Sequence, residues 1–171
     1  MKIAVLAAFA TGEAELIARA RDAFDLQVAR NIAADGEVLD FGERDALHYV
    51  VYTLQPLATA CAAAAAHGES WIDRAPAPDA GSVRRGLAWL LPYVEGAKTH
   101  DEFVNSKVRF DAERAAAGVA GFMGVWQSDR ALDLMALAAH LDPLYRPAYE
   151  RLARATGRQA ADWVRNLFPS G

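Results

Sequence analysis

Residues 44–57, with the sequence RDALHYVVYTLQPL, concentrate side chains that can form hydrogen bonds or exchange protons. Successive residues of a helix are about 100° apart, so one side of this segment is aliphatic, formed by Leu47, Val50, Val51 and Leu54. Beside that stripe, polar and aromatic side chains occupy a contiguous arc of roughly 140°, in the angular order Arg44, Gln55, His48, Tyr52, Asp45 and Tyr49. Aromatic faces, hydroxyls and a guanidinium on one surface suit a wall that binds a sugar.

The same arc has a structural interpretation that the pattern alone leaves open. Tyrosine and histidine at helical spacing are often core residues whose polar ends are satisfied by hydrogen bonds. The two interpretations differ in where the rings of Tyr49 and Tyr52 lie. A binding groove requires both rings to face a common concave surface, and enclosure of both in the apolar core would exclude it.

Three residues outside this segment are further candidates for contact with an anionic sugar. Lys98 and His100 follow a glycine-containing turn, and Trp126 lies beside a glycine, where its ring could stack on a sugar. The structural alternatives are solvated residues at a helix start and packing of the indole beneath a loop. His48 neighbours Tyr49 in sequence but lies about 100° around the helix, so the two side chains need not act on the same proton.

Composition narrows the class of protein. With 171 residues, of which 53% are hydrophobic and 23% charged, the chain is predicted to be a single globular domain over residues 1–171. A net charge of −4 argues against a nucleic-acid partner, but a cleft can be locally positive and bind an acidic polymer. Cys61 is the only cysteine, so no internal disulfide can form, and no metal site or cofactor is predicted.

The N-terminal sequence MKIAVLAAFA mimics a secretory signal, with a lysine, a short apolar run and small residues. Because a helical pattern follows directly, we interpret it as the first structural helix and expect no signal peptide. No stretch is expected to approach the roughly 20 apolar residues of a membrane span.

Apolar periodicity and turn residues predict an all-α fold of about seven helices joined as antiparallel hairpins. Residues 37–43 are predicted as an extended connector, and residues 118–124 as a glycine loop. Two helix starts carry cap signals, Ser82 and the T-x-x-E spacing of Thr99 and Glu102. The predicted helices cover approximately residues 3–10, 13–34, 45–67, 130–141, 143–156 and 158–166, and two further helices follow Ser82 and Thr99. Pro56 lies inside the predicted helix 45–67, where a proline can produce a kink.

Residues 35–60, DGEVLDFGERDALHYVVYTLQPLATA, resemble a segment of the alginate lyase family. The shared features are an Asp-Gly turn, an acidic and aromatic stretch, an ALHY block and a helix with Leu-x-Pro-Leu. Residues 95–122, EGAKTHDEFVNSKVRFDAERAAAGVAGF, are also similar to the later part of such proteins. The resemblance extends over residues 8–152 and corresponds to the C-terminal half of a family domain.

This resemblance implies an incomplete α/α toroid whose groove binds alginate or a related polyuronate, without a metal, in a periplasmic or secreted protein. Such enzymes cleave by β-elimination: one group neutralises the carboxylate, a base removes the C5 proton, and an acid protonates the departing O4. The resemblance places the catalytic tyrosine at Tyr49, with His48 beside it. A phenol, whose pKa is ordinarily about 10, can serve as base or acid once a neighbouring cation favours the phenolate.

Two departures from the family pattern bear on activity. The family's arginine aligns with Gly42 here, so its role passes to Arg44 as the nearest guanidinium for a substrate carboxylate. The family's Asn-His motif is not found, since none of Asn31, Asn105 and Asn166 lies in one. We therefore expect weak or no turnover by the chain alone, with the missing groups supplied by an N-terminal half or a homo-oligomer. The alternatives are a non-catalytic carbohydrate-binding module and a helical interaction module.

Overall fold

The computed structural model describes residues 1–77 and 79–168, and this part of the chain is helical. It contains nine α-helices, where about seven were predicted, and no β-strand beyond isolated bridges. The predicted all-α class is confirmed, and the arrangement is consistent with an incomplete α/α toroid. The helices are α1 Lys2–Thr11, α2 Ala14–Asn31, α3 Leu39–Arg44, α4 Leu47–Ala66, α5 Val83–Val94, α6 Arg109–Ala116, α7 Leu132–Leu141, α8 Arg146–Thr156 and α9 Asp162–Leu167, with 3-10 turns at Ser128–Ala131 and Pro143–Tyr145.

Helix α4 lies at the centre and packs against α1, α2, α3, α5 and α7. The aliphatic stripe predicted for it is buried as expected, since Leu47, Val50 and Leu54 have no exposed surface. Residues 60–64 of its second half are buried too, and they are alanines apart from Cys61. Small side chains let the neighbouring helices approach closely. Helix α4 is therefore a rigid support for the side chains on its exposed arc, which include Tyr49 and Tyr52.

The expectation that no segment approaches a membrane span is wrong for α4 by length and composition. Leu47–Ala66 has 20 residues, and an 18-residue window within it has a mean hydropathy of 1.2, which meets the requirement for a span. Its position in the fold accounts for these properties, because 61% of that window is buried within the protein. A central core helix is apolar for the same reason as a span.

The segment before α4 differs from the prediction. Helix α3 replaces most of the expected extended connector, and only Val38 pairs in an isolated bridge with Ile32. Asp45 ends α3 in the left-handed conformation, with φ 52°, and Ala46 is extended. Arg44 and Asp45 therefore precede α4 and do not share its helical arc, because the chain turns sharply between the two helices.

One predicted cap is confirmed and the other is wrong. The Ser82 hydroxyl accepts a hydrogen bond from the Arg85 backbone N–H at the start of α5. Residues after Thr99 form turns instead of a helix, and α6 begins only at Arg109. The Glu102 carboxylate instead accepts a hydrogen bond from the backbone N–H of His48 at 3.1 Å, so it caps α4, 54 residues earlier in the chain.

Candidate active site

The rings of Tyr49 and Tyr52 lie on the exposed side of α4. Tyr52 is 71% exposed and Tyr49 is half-buried, with ring centroids 6.4 Å apart. Their enclosure in the apolar core would have excluded a binding groove, and the structure does not show it. A groove that uses both rings therefore stays a prediction.

Tyr52 stands between two clefts, each of about 540 Å³. The first, which we term the His48 cleft, opens between α4 and the loop before α7; it is lined by His48, Tyr52, Gln55, Phe103, Phe122 and Arg130, among others. The second, the Asp40 cleft, opens toward the N-terminus of α1 and is lined by Lys2, Asn31, Asp40, Tyr52, Thr53 and Pro56, among others. An exposed aromatic residue between two clefts suits a chain-like ligand that extends across both. Tyr49, by contrast, lines neither cleft.

The guanidinium of Arg44 stacks on the face of the Tyr49 ring. The guanidinium carbon lies 3.7 Å from the Tyr49 ring centroid, within the range of a cation–π contact. The same guanidinium donates two hydrogen bonds to the carboxylate of Asp111, which is fully buried at the start of α6. Ser106 donates a further hydrogen bond of 2.7 Å to that carboxylate. Arg44 is thus already paired, and it holds the ring more directly than it could hold a substrate.

The proton states of the two neighbouring residues differ. Burial raises the pKa of the Tyr49 phenol, and this effect exceeds the opposing influence of the Arg44 guanidinium. Burial also lowers the pKa of His48, with Arg130 and Arg44 acting in the same direction. At neutral pH the site therefore presents a protonated phenol and a neutral imidazole, whose ring centroids are 5.2 Å apart.

Glu102 lies directly behind this pair. Its side chain is only 3% exposed, and burial raises its pKa to about 7, against the influence of the His48 N–H that it accepts. Its other carboxylate oxygen, Oε2, has no hydrogen-bond partner within residues 1–77 and 79–168. Ionisation of this group therefore places a charge beside the first turn of α4, where the positive helix end attenuates its cost.

Of three further predicted site residues, one lines a cleft and two lie elsewhere. Gln55 lines the His48 cleft. His100 is engaged elsewhere, because its Nε2 lies 2.9 Å from the Asp45 carbonyl oxygen and its ring packs on Phe41. Lys98 is exposed over the ring of Tyr93 and does not line either cleft.

Trp126 is a core residue and not a sugar platform. Only 6% of it is exposed, and it belongs to the apolar cluster around α4 and α7. Its backbone N–H donates to the His100 carbonyl oxygen, and the neighbouring Val125 forms a bridge with Asp101. The indole is therefore packed beneath the loop, the structural alternative that the sequence left open.

Three functional candidates escaped the sequence interpretation: Asp111, Arg130 and Phe122. Asp111 and Phe122 lie in segments that sequence patterns assign to an ordinary polar helix and a glycine loop. Arg130 lies in the 3-10 turn before α7, where no motif marks it. Only the long-range packing of these segments on α4 brings the three residues to the site.

Other common catalytic groups do not converge here. In the described part of the chain, no three His, Cys, Asp or Glu side chains are placed to hold a metal ion. Cys61 is buried, and burial raises the pKa of its thiol far above the usual value. A thiol that stays protonated in the core is a packing group.

A family model matches the part of the chain that contains helix α4. The model of the family described as Alginate lyase matches residues 2–100, which is more than half of the chain. The chain belongs to the alginate lyase family. The part that matches the alginate lyase model contains α4 with Tyr49 and Tyr52, whereas Phe103, Phe122 and Arg130 of the facing wall lie beyond it. Comparison with curated proteins and with solved structures gave no match.

Proposed function

We propose that this alginate lyase family chain is a polyuronate lyase domain that acts on alginate or a related acidic polysaccharide by β-elimination. The observation that carries the proposal is the fixed phenol of Tyr49, held face-on by Arg44 between Tyr52 and Phe103. A structural tyrosine needs no such clamp. A tyrosine that transfers a proton benefits from one, because a small displacement of the reacting group reduces the rate strongly.

In β-elimination the C5–H bond breaks, its electron pair forms the C4=C5 double bond, and the C4–O4 bond breaks. The departing O4 then takes up a proton. The Tyr49 phenol is protonated at neutral pH, so it suits donation to O4. The neutral imidazole of His48 is the neighbouring group able to accept the C5 proton. Family resemblance suggests Tyr49 as base or acid, and the proton states favour this division.

The proposal gives Arg44 a positioning role. A guanidinium that already donates twice to a buried carboxylate can bind a substrate carboxylate only by giving up that pair. Its stacking on the Tyr49 ring and its restraint by Asp111 orient the phenol instead. This replaces the role in carboxylate binding that the sequence position alone suggests.

The test is cleavage of polymannuronate by the purified chain, followed by the ultraviolet absorbance of the new conjugated double bond. Tyr49→Phe should lower the rate by about 10² to 10⁴, the usual contribution of a general acid or base. Tyr93→Phe is the matched control, because Tyr93 is also half-buried but contacts Trp89 and Lys98 instead of Arg44 and His48. Unchanged turnover in Tyr49→Phe would make Tyr49 a packing residue and remove the proposed chemistry.

A second candidate function is a carbohydrate-binding module without catalysis. Its support is that two of the three asparagines, the residue type that supplies the carboxylate neutraliser in the family, are engaged elsewhere. Asn105 donates to the Asp45 carboxylate, and Asn31 donates to the Gln27 carbonyl oxygen. This function predicts binding of oligouronates with no gain of ultraviolet absorbance, even at high protein concentration and long incubation.

A further inference from the structure

We infer that Arg130 binds the carboxylate of a uronate residue in the His48 cleft and so selects acidic over neutral polysaccharide. The inference rests on the proposed site and adds to it a specificity residue from outside the segment that the family model matches. It names the group that recognises substrate charge, which neither the sequence pattern nor the family match assigns.

The first argument is a comparison of the cations near the cleft. Arg44 is paired with Asp111, as described above. Arg158 also lines the cleft, but its Nη1 lies 3.7 Å from the carboxylate of Asp129. Within residues 1–77 and 79–168, Arg130 has no carboxylate within ion-pair distance, and its guanidinium is therefore available to an incoming anion.

The acidic residues of the cleft do not cancel this cation. The Asp129 carboxylate faces Arg158, and the Asp133 carboxylate accepts a hydrogen bond of 2.8 Å from the Ala161 backbone N–H. Both carboxylates are thus directed toward their own partners. Glu102 lies behind His48 and does not line the cleft. Arg130 and His48 both line the cleft, and the Arg130 guanidinium lowers the pKa of that imidazole and of the Glu102 carboxyl.

The second argument is the space around the guanidinium. Gly121 has φ +87°, a conformation that favours glycine, and a Cβ built there would lie 3.4 Å from Nη2 of Arg130. The glycine loop thus passes close to the guanidinium without crowding it. From the same loop, Phe122 stacks on Phe103 with ring centroids 4.9 Å apart and completes an apolar wall opposite the α4 residues.

The third argument is chemical complementarity. A guanidinium presents parallel N–H groups that match both oxygens of a carboxylate, and a neutral hydroxymethyl group offers no such pair. The aromatic side chains suit the apolar face of a sugar ring, and the Gln55 amide suits its hydroxyls. The combination recognises a uronate residue by charge and ring shape together.

The experiment measures the binding of an oligomannuronate and of its carboxyl-reduced, neutral counterpart by calorimetry at low salt. For the acidic oligosaccharide, Arg130→Gln should raise Kd by about 10- to 100-fold, the usual size of a lost charge-assisted contact. Arg130→Lys, which keeps the charge but loses the fork, should raise Kd by an intermediate factor. Neither variant should change Kd for the neutral oligosaccharide.

Arg158→Gln is the matched control, because it removes the same charge from the same cleft at a residue already paired with Asp129. It should change Kd for the acidic oligosaccharide by no more than about twofold. Equal losses in Arg130→Gln and Arg158→Gln would show general charge attraction and overturn the inference. So would an unchanged Kd in Arg130→Gln, or a wild-type chain that binds the acidic form no better than the neutral one.

The two proposals fail separately. Binding that depends on Arg130 without any cleavage of polymannuronate would retain this inference and remove the lyase chemistry. Cleavage that depends on Tyr49 with Arg130-independent binding would do the reverse. Thermal unfolding of each variant confirms that it is folded, and if Arg130→Gln does not fold, the comparison of Arg130→Lys with wild type decides the outcome.

Discussion

The guanidinium of Arg44 lies 3.7 Å from the ring centroid of Tyr49, on the last turn of the helix before the one that carries the tyrosine. The contact crosses the sharp turn at Asp45, so it joins two helices and not two positions of one helix. Because Asp111 holds the guanidinium from α6, three elements meet at this ring. Substitutions in any of these three elements should therefore change the position of the Tyr49 phenol.

The first prediction concerns Arg44→Lys. A lysine keeps a positive charge but cannot donate to both oxygens of Asp111 and stack flat on Tyr49. We expect turnover to fall by about tenfold, as for a lost contact of about 1.4 kcal/mol, with little change in oligosaccharide affinity. Arg109→Lys is the control, since Arg109 is exposed and pairs only with Glu113 on its own helix. A loss of affinity without loss of turnover would return Arg44 to a role in carboxylate binding.

The second prediction concerns stability. Asp111→Asn removes the charge that pairs with Arg44 and leaves a weaker acceptor at a fully buried position. The free energy of unfolding should fall by about 1–3 kcal/mol, measured by urea denaturation. Asp162→Asn, whose side chain is 83% exposed in its pair with Arg165, should cost less than about 0.5 kcal/mol. Similar values for the two variants would mean that the Arg44 pair contributes nothing specific.

Sequence patterns predicted the parts of the fold that depend on local periodicity. The buried stripe of α4 follows from apolar spacing, and the start of α5 follows from the cap at Ser82. The position of Tyr52 beside that stripe follows from the same helical wheel, whereas the pattern left open whether its ring is exposed or enclosed. These features need only residues a few positions apart, so one sequence suffices to predict them.

The parts that sequence could not predict depend on distant partners. Asp45 leaves the helical pattern because its carbonyl oxygen accepts from the Phe103 N–H and its carboxylate from the Asn105 N–H, about 60 residues later. Glu102 has the spacing of a local cap, yet it caps another helix. Local helix propensity cannot predict that a side chain will hydrogen-bond to a distant partner instead of a local one, because the long-range hydrogen bonds exist only after the fold has formed.

The third prediction concerns the isolated chain. Because no Asn-His motif is found in the sequence and Arg44 is already paired, we expect turnover of polymannuronate well below that of a complete lyase site. The measurement is the rate of ultraviolet absorbance gain at saturating polymer, with Tyr49→Phe as the background. Rapid, Tyr49-dependent turnover would contradict it and would make another cation, with Arg130 the first choice, the group that neutralises the reacting carboxylate.

The last prediction concerns pH and Glu102. Its pKa in the folded protein is about 7, above the ordinary 4.5, so the unfolded chain releases this proton at lower pH than the folded protein does. The stability of the wild type should therefore decrease as pH rises from about 4.5 through 7, by up to about 3 kcal/mol from this group.

Glu102→Gln keeps an acceptor for the His48 N–H but has no proton to lose. Its stability relative to wild type should thus increase across that range and level off above pH 8, as measured by denaturation at each pH. Glu113→Gln, at an exposed position, should give a difference that does not vary with pH in this way. If the free energy of unfolding of Glu102→Gln differs from that of the wild type by the same amount at every pH, the Glu102 carboxylate ionises at its ordinary pKa and its ionisation does not destabilise the start of α4.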